Sequence, residues 1–143
     1  MKLTIAAVLL ASAALAACAE YYPPAPPPGP PPPPLAFGER LPPEACFRTA
    51  DIRNHTIGDD RTLYVDVHGR GVYRIEMNGA CLAGAVSSDP IILRQPPGSS
   101  LVCRPIDIDL SISRGGFATP CLVRGMVRLT PDEVAALPPK LRP

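Results

Sequence analysis

The chain has no tryptophan and only four tyrosines and three phenylalanines in 143 residues. A core must therefore be assembled from Val, Ile and Leu, and a unit of this size gains from covalent staples. Excess charge is missing too: 14 Lys and Arg face 13 Asp and Glu, a net charge of +1. That balance argues against electrostatic capture of nucleic acid. The arginines beyond residue 44 are interleaved with acids, the pattern of a solvated surface with ion pairs. There is no Gly-x-Ser-x-Gly elbow, no phosphate-cradling glycine loop and no dinucleotide fingerprint. No two cysteines stand at the C-x₂₋₄-C spacing of a zinc site. No cofactor and no catalytic residue is expected on these grounds.

What is abundant is proline, 21 residues of it, together with five cysteines. The amino terminus explains one cysteine. Lys2 precedes an apolar run from Leu3 to Leu15 that is shorter than the ~20 residues a membrane-spanning helix needs. It reads as a signal peptide covering residues 1–17. Leu15-Ala16-Ala17-Cys18 resembles the lipobox of bacterial lipoproteins, which implies cleavage before Cys18 and a lipid on its thiol. Ala19 follows where an aspartate would favour retention in the inner membrane, so the resemblance implies an outer-membrane anchor facing the periplasm. The alternative is ordinary leader cleavage and a soluble secreted protein, which leaves Cys18 as an unpaired thiol. With Cys18 acylated, Cys46, Cys81, Cys103 and Cys121 form an even set in an oxidising compartment.

Residues 18–43 form the lipidated terminus and a stalk. Pro23 to Pro34 excludes helix and sheet and favours extended polyproline II, spanning roughly 35–40 Å at about 3.1 Å per residue. A semi-rigid spacer is the simplest role, and a ligand for a proline-binding groove is the alternative. Tyr21 and Tyr22 sit where aromatic rings favour a membrane interface.

Residues 44–143 read as one mainly β domain. Cys46 to His55 is expected as a first strand, ended by Gly58-Asp59-Asp60. Thr62 to Val67 sets Leu63, Val65 and Val67 on one face. His68-Gly69-Arg70-Gly71 is a hairpin turn, and Val72 to Met77 returns with Tyr73, Ile75 and Met77 inward. Ala83 to Ser100 is expected as a long loop. Ile106 to Ser113 alternates strictly, so its isoleucine and leucine face, Ile106 included, is expected to be buried and its Asp and Ser face wet. Arg114-Gly115-Gly116 turns it into a last strand from Pro120 to Leu129. Five antiparallel strands in meander order imply a small barrel-like sheet. A short helix follows, with Thr130 as N-cap, Pro131 in the first turn and Glu133 completing a capping box; Val134 and Leu137 are expected to dock on the sheet. Strand direction in such a meander puts Cys81 and Cys103 at one end and Cys46 and Cys121 at the other. Of the three connectivities, Cys81–Cys103 with Cys46–Cys121 is therefore expected.

The order of Cys46, Ile52, Asp59-Asp60-Arg61-Thr62-Leu63, Tyr73, Cys81, Leu101-Val102-Cys103, Gly115-Gly116 and Cys121 resembles an uncharacterised family of exported proteobacterial proteins, a domain of unknown function. The resemblance covers Cys46 to about Leu129. It implies a small periplasmic domain and carries no activity.

Asp51, Asn54, His55, Asp59 and Asp60 form the densest polar cluster. Read functionally, His55 with a carboxylate makes a metal site or an acid–base pair of a small metal-assisted periplasmic hydrolase. Read structurally, Asp and Asn cap backbone groups in turns, and that reading is preferred, with no metal expected. Asp107 and Asp109 lie on one expected strand face about 7 Å apart, the arrangement of two hydrolase acids. Facing Arg124 or Arg128 across the hairpin is the simpler role. The expectation is a non-enzymatic envelope lipoprotein, held to the membrane by its lipid, whose β domain binds or scaffolds another envelope protein. A secreted inhibitor-like protein is the further alternative.

Overall fold

The computed structural model describes residues 36, 39–98 and 100–143. Cys18, the leader and most of the stalk lie outside the described residues. Within the described residues, the hairpin at the centre follows the alternation directly. Strand β2 (Thr62–Val67) and strand β3 (Gly71–Met77) pair antiparallel. Leu63, Val65, Tyr73 and Ile75 are fully buried, because the period of two sends them all to one face. Gly69 and Gly71 hold φ of +68° and +90° in the connecting turn, a conformation that a side chain would strain.

The strand expected from Cys46 to His55 is interrupted. Phe47 makes an isolated antiparallel bridge with Val102, and a 3-10 turn at Thr49–Asp51 redirects the chain into β1 (Ile52–Ile57), which pairs with β2. One straight strand cannot reach both partners, and the turn lets Phe47 meet Val102 while Ile52 meets Val67.

The stretch read as a long loop contains strand β4 (Ile91–Arg94), an apolar run of half-buried residues too short to show alternation. It pairs with β5 (Asp109–Arg114), which turns through Gly115-Gly116 into β6 (Phe117–Cys121). Leu122 then carries the chain out of that sheet, and β7 (Val123–Arg128) pairs with β3. The described residues thus form seven strands in two open antiparallel sheets, ordered β1-β2-β3-β7 and β4-β5-β6. The expected five-stranded barrel is corrected accordingly. A closed sheet is replaced by two that share one core, with Leu63, Ile75 and Met126 from one and Leu110, Ile112 and Cys121 from the other.

The disulfides are corrected too: Cys46 joins Cys103 and Cys81 joins Cys121. The expected pairing failed because the strands do not form one meander. Strands β4, β5 and β6 make a sheet of their own, and β7 crosses back to pair antiparallel with β3, so Val123 lies opposite Met77 at the far end of β3. Cys121 then meets Cys81, two and four residues beyond that pair. Cys46 and Cys103 flank the bridged residues Phe47 and Val102 and therefore face each other. With sequence separations of 57 and 40, the loop-closure model assigns each bridge about 4 kcal/mol of unfolded-chain entropy.

The segment before β1 lies over the core. Tyr73 donates its buried hydroxyl to the Ala45 carbonyl at 2.7 Å, and its ring packs on Phe47 with centroids 4.7 Å apart. Burial pushes the Tyr73 hydroxyl pKa up, against a smaller lowering by Arg128 and Arg70. Leu41 is also buried and donates its N–H to the Cys103 carbonyl. At the other terminus, helix α1 (Pro131–Ala136) has the expected capping box: Thr130 Oγ1 accepts from the Glu133 N–H, and Glu133 Oε2 accepts from the Thr130 N–H. Val134 and Leu137 are only half-buried, so the helix rests on the domain edge rather than in its core. Among the described residues no helix is long and apolar enough to cross a membrane.

Candidate functional site

The densest polar cluster of the sequence is drawn out along β1. Asp51 precedes the strand, Asn54 and His55 lie within it, and Asp59 and Asp60 follow it. Six residues of strand separate the two ends, about 20 Å at roughly 3.4 Å per residue. Three of the side chains, those of Asn54, His55 and Asp59, bond backbone groups, and Asp51 and Asp60 contribute main-chain carbonyls. The Asp51 carbonyl accepts from the His68 N–H at 2.8 Å, closing the start of the β1–β2 pair. Asn54 Oδ1 accepts from the His55 N–H at 2.9 Å. Asp59 Oδ1 accepts from the Arg61 N–H at 2.8 Å and its Oδ2 from Thr62 Oγ1 at 3.1 Å, the capping that turns favour. The Asp60 carbonyl accepts from the Leu82 N–H.

His55 is half-buried, and its Nε2 lies 3.1 Å from the Asp89 carbonyl. A carbonyl only accepts, so Nε2 carries the proton and the imidazole pins the 86–89 turn against β1. Ser87 Oγ accepts from the Ile57 N–H at 3.0 Å on the same edge. Together these contacts cover an otherwise open sheet margin. His68 is remote from His55 in the β2–β3 turn and takes the Arg53 guanidinium on its Nδ1. Among the described residues, no group of three or more His, Cys, Asp or Glu is arranged to hold a metal ion.

The two aspartates expected on one strand face are separated by structure. Pro105–Asp107 is a 3-10 turn, and only Asp109 enters β5. Asp107 is buried and folds back on the preceding chain. Its Oδ2 accepts from the N–H groups of Cys103 and Arg104, at 3.2 and 2.9 Å, and its Oδ1 pairs with Arg104 Nη2 at 2.9 Å. Burial alone would raise this carboxyl, but the Arg104 side chain and the two backbone donors outweigh it and hold its pKa below the ordinary value. Neither Arg124 nor Arg128 lies in a strand paired with β5, which corrects their expected role opposite these acids.

That turn creates an apolar surface feature among the described residues. With Pro105 and Asp107 directed inward, Ile106 is forced outward and is 56% exposed. Leu122, at the crossing between sheets, is 59% exposed. The two residues wall a groove of about 470 Å³ floored by Ile108, Leu110, Cys121 and Val123, with Asp109, Ser111 and Pro120 at its mouth. Ile106 also walls a second hollow of about 590 Å³, shared with Arg40, Pro96, Pro97, Leu101 and Arg104. Phe117 stands 80% exposed at the start of β6. The linings combine apolar walls with a polar rim, an arrangement that suits apolar contact. Sequence reasoning placed Ile106 in the buried face. Its outward position was signalled only by the flanking Pro105 and Asp107, and that of Leu122 by three successive apolar residues in an alternating stretch.

Compared with protein-family models, curated protein sequences and solved structures, the chain matches none.

Proposed function

We propose that the chain is an exported lipoprotein whose β domain, tethered through Cys18, acts without catalysis to bind or scaffold another protein of the bacterial envelope. The observation that carries the reading is the cysteine ledger. Four cysteines are consumed by two disulfides in the folded part, and the fifth stands at the end of the lipobox-like stretch Leu15-Ala16-Ala17-Cys18. Paired cysteines are compatible with an oxidising compartment outside the cytoplasm. The alanine after Cys18 favours the outer membrane with the domain on its periplasmic side, and the proline-rich segment supplies a spacer. Membership of the exported proteobacterial family resembled by the cysteine order belongs to the same proposal.

The binding role is supported by the groove between Ile106 and Leu122, whose apolar walls are exposed to solvent at a cost that a partner would relieve. In the β1 region, by contrast, the side chains of Asn54, His55 and Asp59 are engaged in holding turns and an edge. Two measurements test the proposal together. Labelled fatty acid should enter the wild-type chain in its host and fail to enter Cys18→Ser. Crosslinking on intact envelopes should recover a partner with the wild type and lose it with Ile106→Glu combined with Leu122→Glu. Stoichiometric metal lost on His55→Ala, with turnover on an ester or amide substrate, would overturn the non-catalytic reading.

A further inference from the structure

The two disulfides differ in how they are guarded, and this difference assigns them different chemistry. Cys46 and Cys103 are 3% and 5% exposed. Backbone bonds run beside their bridge in both directions between Phe47 and Val102, at 3.1 and 2.7 Å, and a third joins Leu41 to Cys103. A thiol can reach this bridge only after the terminal segment and the Val102 region open together. In the second pair Cys121 is 6% exposed, but Cys81 is half-buried, in an irregular turn between β3 and β4. Its turn is closed locally by the Ala83 N–H on the Ala80 carbonyl and the Ala85 N–H on the Leu82 carbonyl. It is tied to the rest of the domain by the Asn78 N–H on the Leu122 carbonyl, the Leu82 N–H on the Asp60 carbonyl and Arg114 Nη1 on the Ala83 carbonyl, with no two-way strand bridge beside it among the described residues. On the far side, β6 pairs only with β5, and its first four residues are exposed.

We propose that Cys81–Cys121 is a site of thiol–disulfide exchange with a dithiol reductant, and that it latches the β6–β7 crossing and the floor of the Ile106–Leu122 groove. One thiolate of the dithiol attacks Cys81 Sγ, the sulfur of the more exposed residue. The Cys81–Cys121 bond breaks, and Cys121 leaves with the electron pair and takes up a proton. The donor's second thiolate then attacks its own sulfur in the mixed disulfide and expels Cys81 as a thiolate, which is protonated. The dithiol is oxidised to a disulfide by two electrons, and the protein disulfide is reduced to two thiols. Cys121 lines the groove, so freeing it loosens the groove floor while Cys46–Cys103 keeps the core closed. This chemistry does not depend on the lipid anchor.

The test uses the oxidised full chain in native buffer, treated with dithiothreitol, quenched at intervals, alkylated and mapped by peptide mass. Cys81 and Cys121 should be alkylated together, about tenfold or more faster than Cys46 and Cys103, because the second bridge must await a larger opening. Equal rates, or Cys46 and Cys103 labelled first, would overturn the assignment. In a second arm, a protein dithiol oxidoreductase with its resolving cysteine changed to serine should be captured on Cys81, and capture on any other cysteine would overturn the direction of attack. Hydrogen exchange on the selectively reduced wild type should rise over residues 78–83 and 117–122 and stay unchanged over β2 and β3. Unchanged exchange at the crossing would overturn the latch.

Discussion

Replacing Asp107 with asparagine tests whether the turn that exposes Ile106 is held by a charged carboxylate. Both backbone bonds fall on one oxygen, Oδ2, so an asparagine with its carbonyl in that place keeps them as neutral bonds, losing about half their strength, on the order of 1 kcal/mol in total. The amide nitrogen then faces Arg104 Nη2, donor against donor. That ion pair is discounted because the Arg104 side chain is 50% exposed, and it adds under about 1 kcal/mol. The asparagine variant should therefore lose about 1.5 kcal/mol at pH 7, and Asp107→Ala about 2–3 kcal/mol, since the buried Cys103 N–H and the part-buried Arg104 N–H then lack an acceptor. The sign of the pH dependence follows from the lowered folded pKa. The contribution is complete above the unfolded value of about 3.9 and is lost as pH falls through the folded value. Urea unfolding of wild type and Asp107→Asn at pH 7 and pH 2 reads both quantities, with a midpoint about 1 M lower for the variant at pH 7, given a slope near 1–2 kcal/mol per molar. The gap between the two chains should narrow as pH falls from 7 to 2. Equal midpoints at pH 7, or a gap that persists unchanged at pH 2, would refute the reasoning.

Ile112, fully buried, should cost about 3 kcal/mol on replacement by alanine, whereas Ile106→Ala should change stability by less than about 0.5 kcal/mol in the same urea assay. Equal losses would show that both belong to one buried face. Tyr73→Phe should cost about 1–2 kcal/mol by stranding the Ala45 carbonyl, measured by thermal unfolding; a neutral outcome would mean that water replaces the hydroxyl. Thr130→Ala should lose about 1 kcal/mol of local protection at the Glu133 amide in hydrogen exchange, and an unchanged amide would refute the capping box.

The central hairpin was legible because one face of each strand is buried and the other is wet, so Leu63, Val65, Tyr73 and Ile75 announce themselves by alternation. The capping of α1 was legible for a local reason: Thr130 and Glu133 satisfy each other within one turn. What escaped was non-local. Strand β4 has four residues, too few for a period. The last strand is divided at Leu122 because it serves two sheets in succession. A bulge opposite Glu76 and Met77 then shifts the inward face, burying Val123 and Met126 where a straight strand would bury Val123 and Val127. The disulfide pairing escaped for the same reason: β7 crosses from one sheet to the other to pair antiparallel with β3, which no single meander allows. Around β1, side-chain types alone announced a polar cluster, but the strand that carries it holds its ends apart, while the groove depends on a backbone turn made by Asp107.

Mass spectrometry of the unreduced chain, recovered from its host's membranes without alkylation, bears most directly on the whole account. The mature chain should begin at Cys18 carrying fatty-acyl mass, with no free thiol and with Cys46–Cys103 and Cys81–Cys121 as the linked peptides. A chain that retains Met1 to Ala17, or that begins elsewhere with Cys18 unmodified, would contradict it.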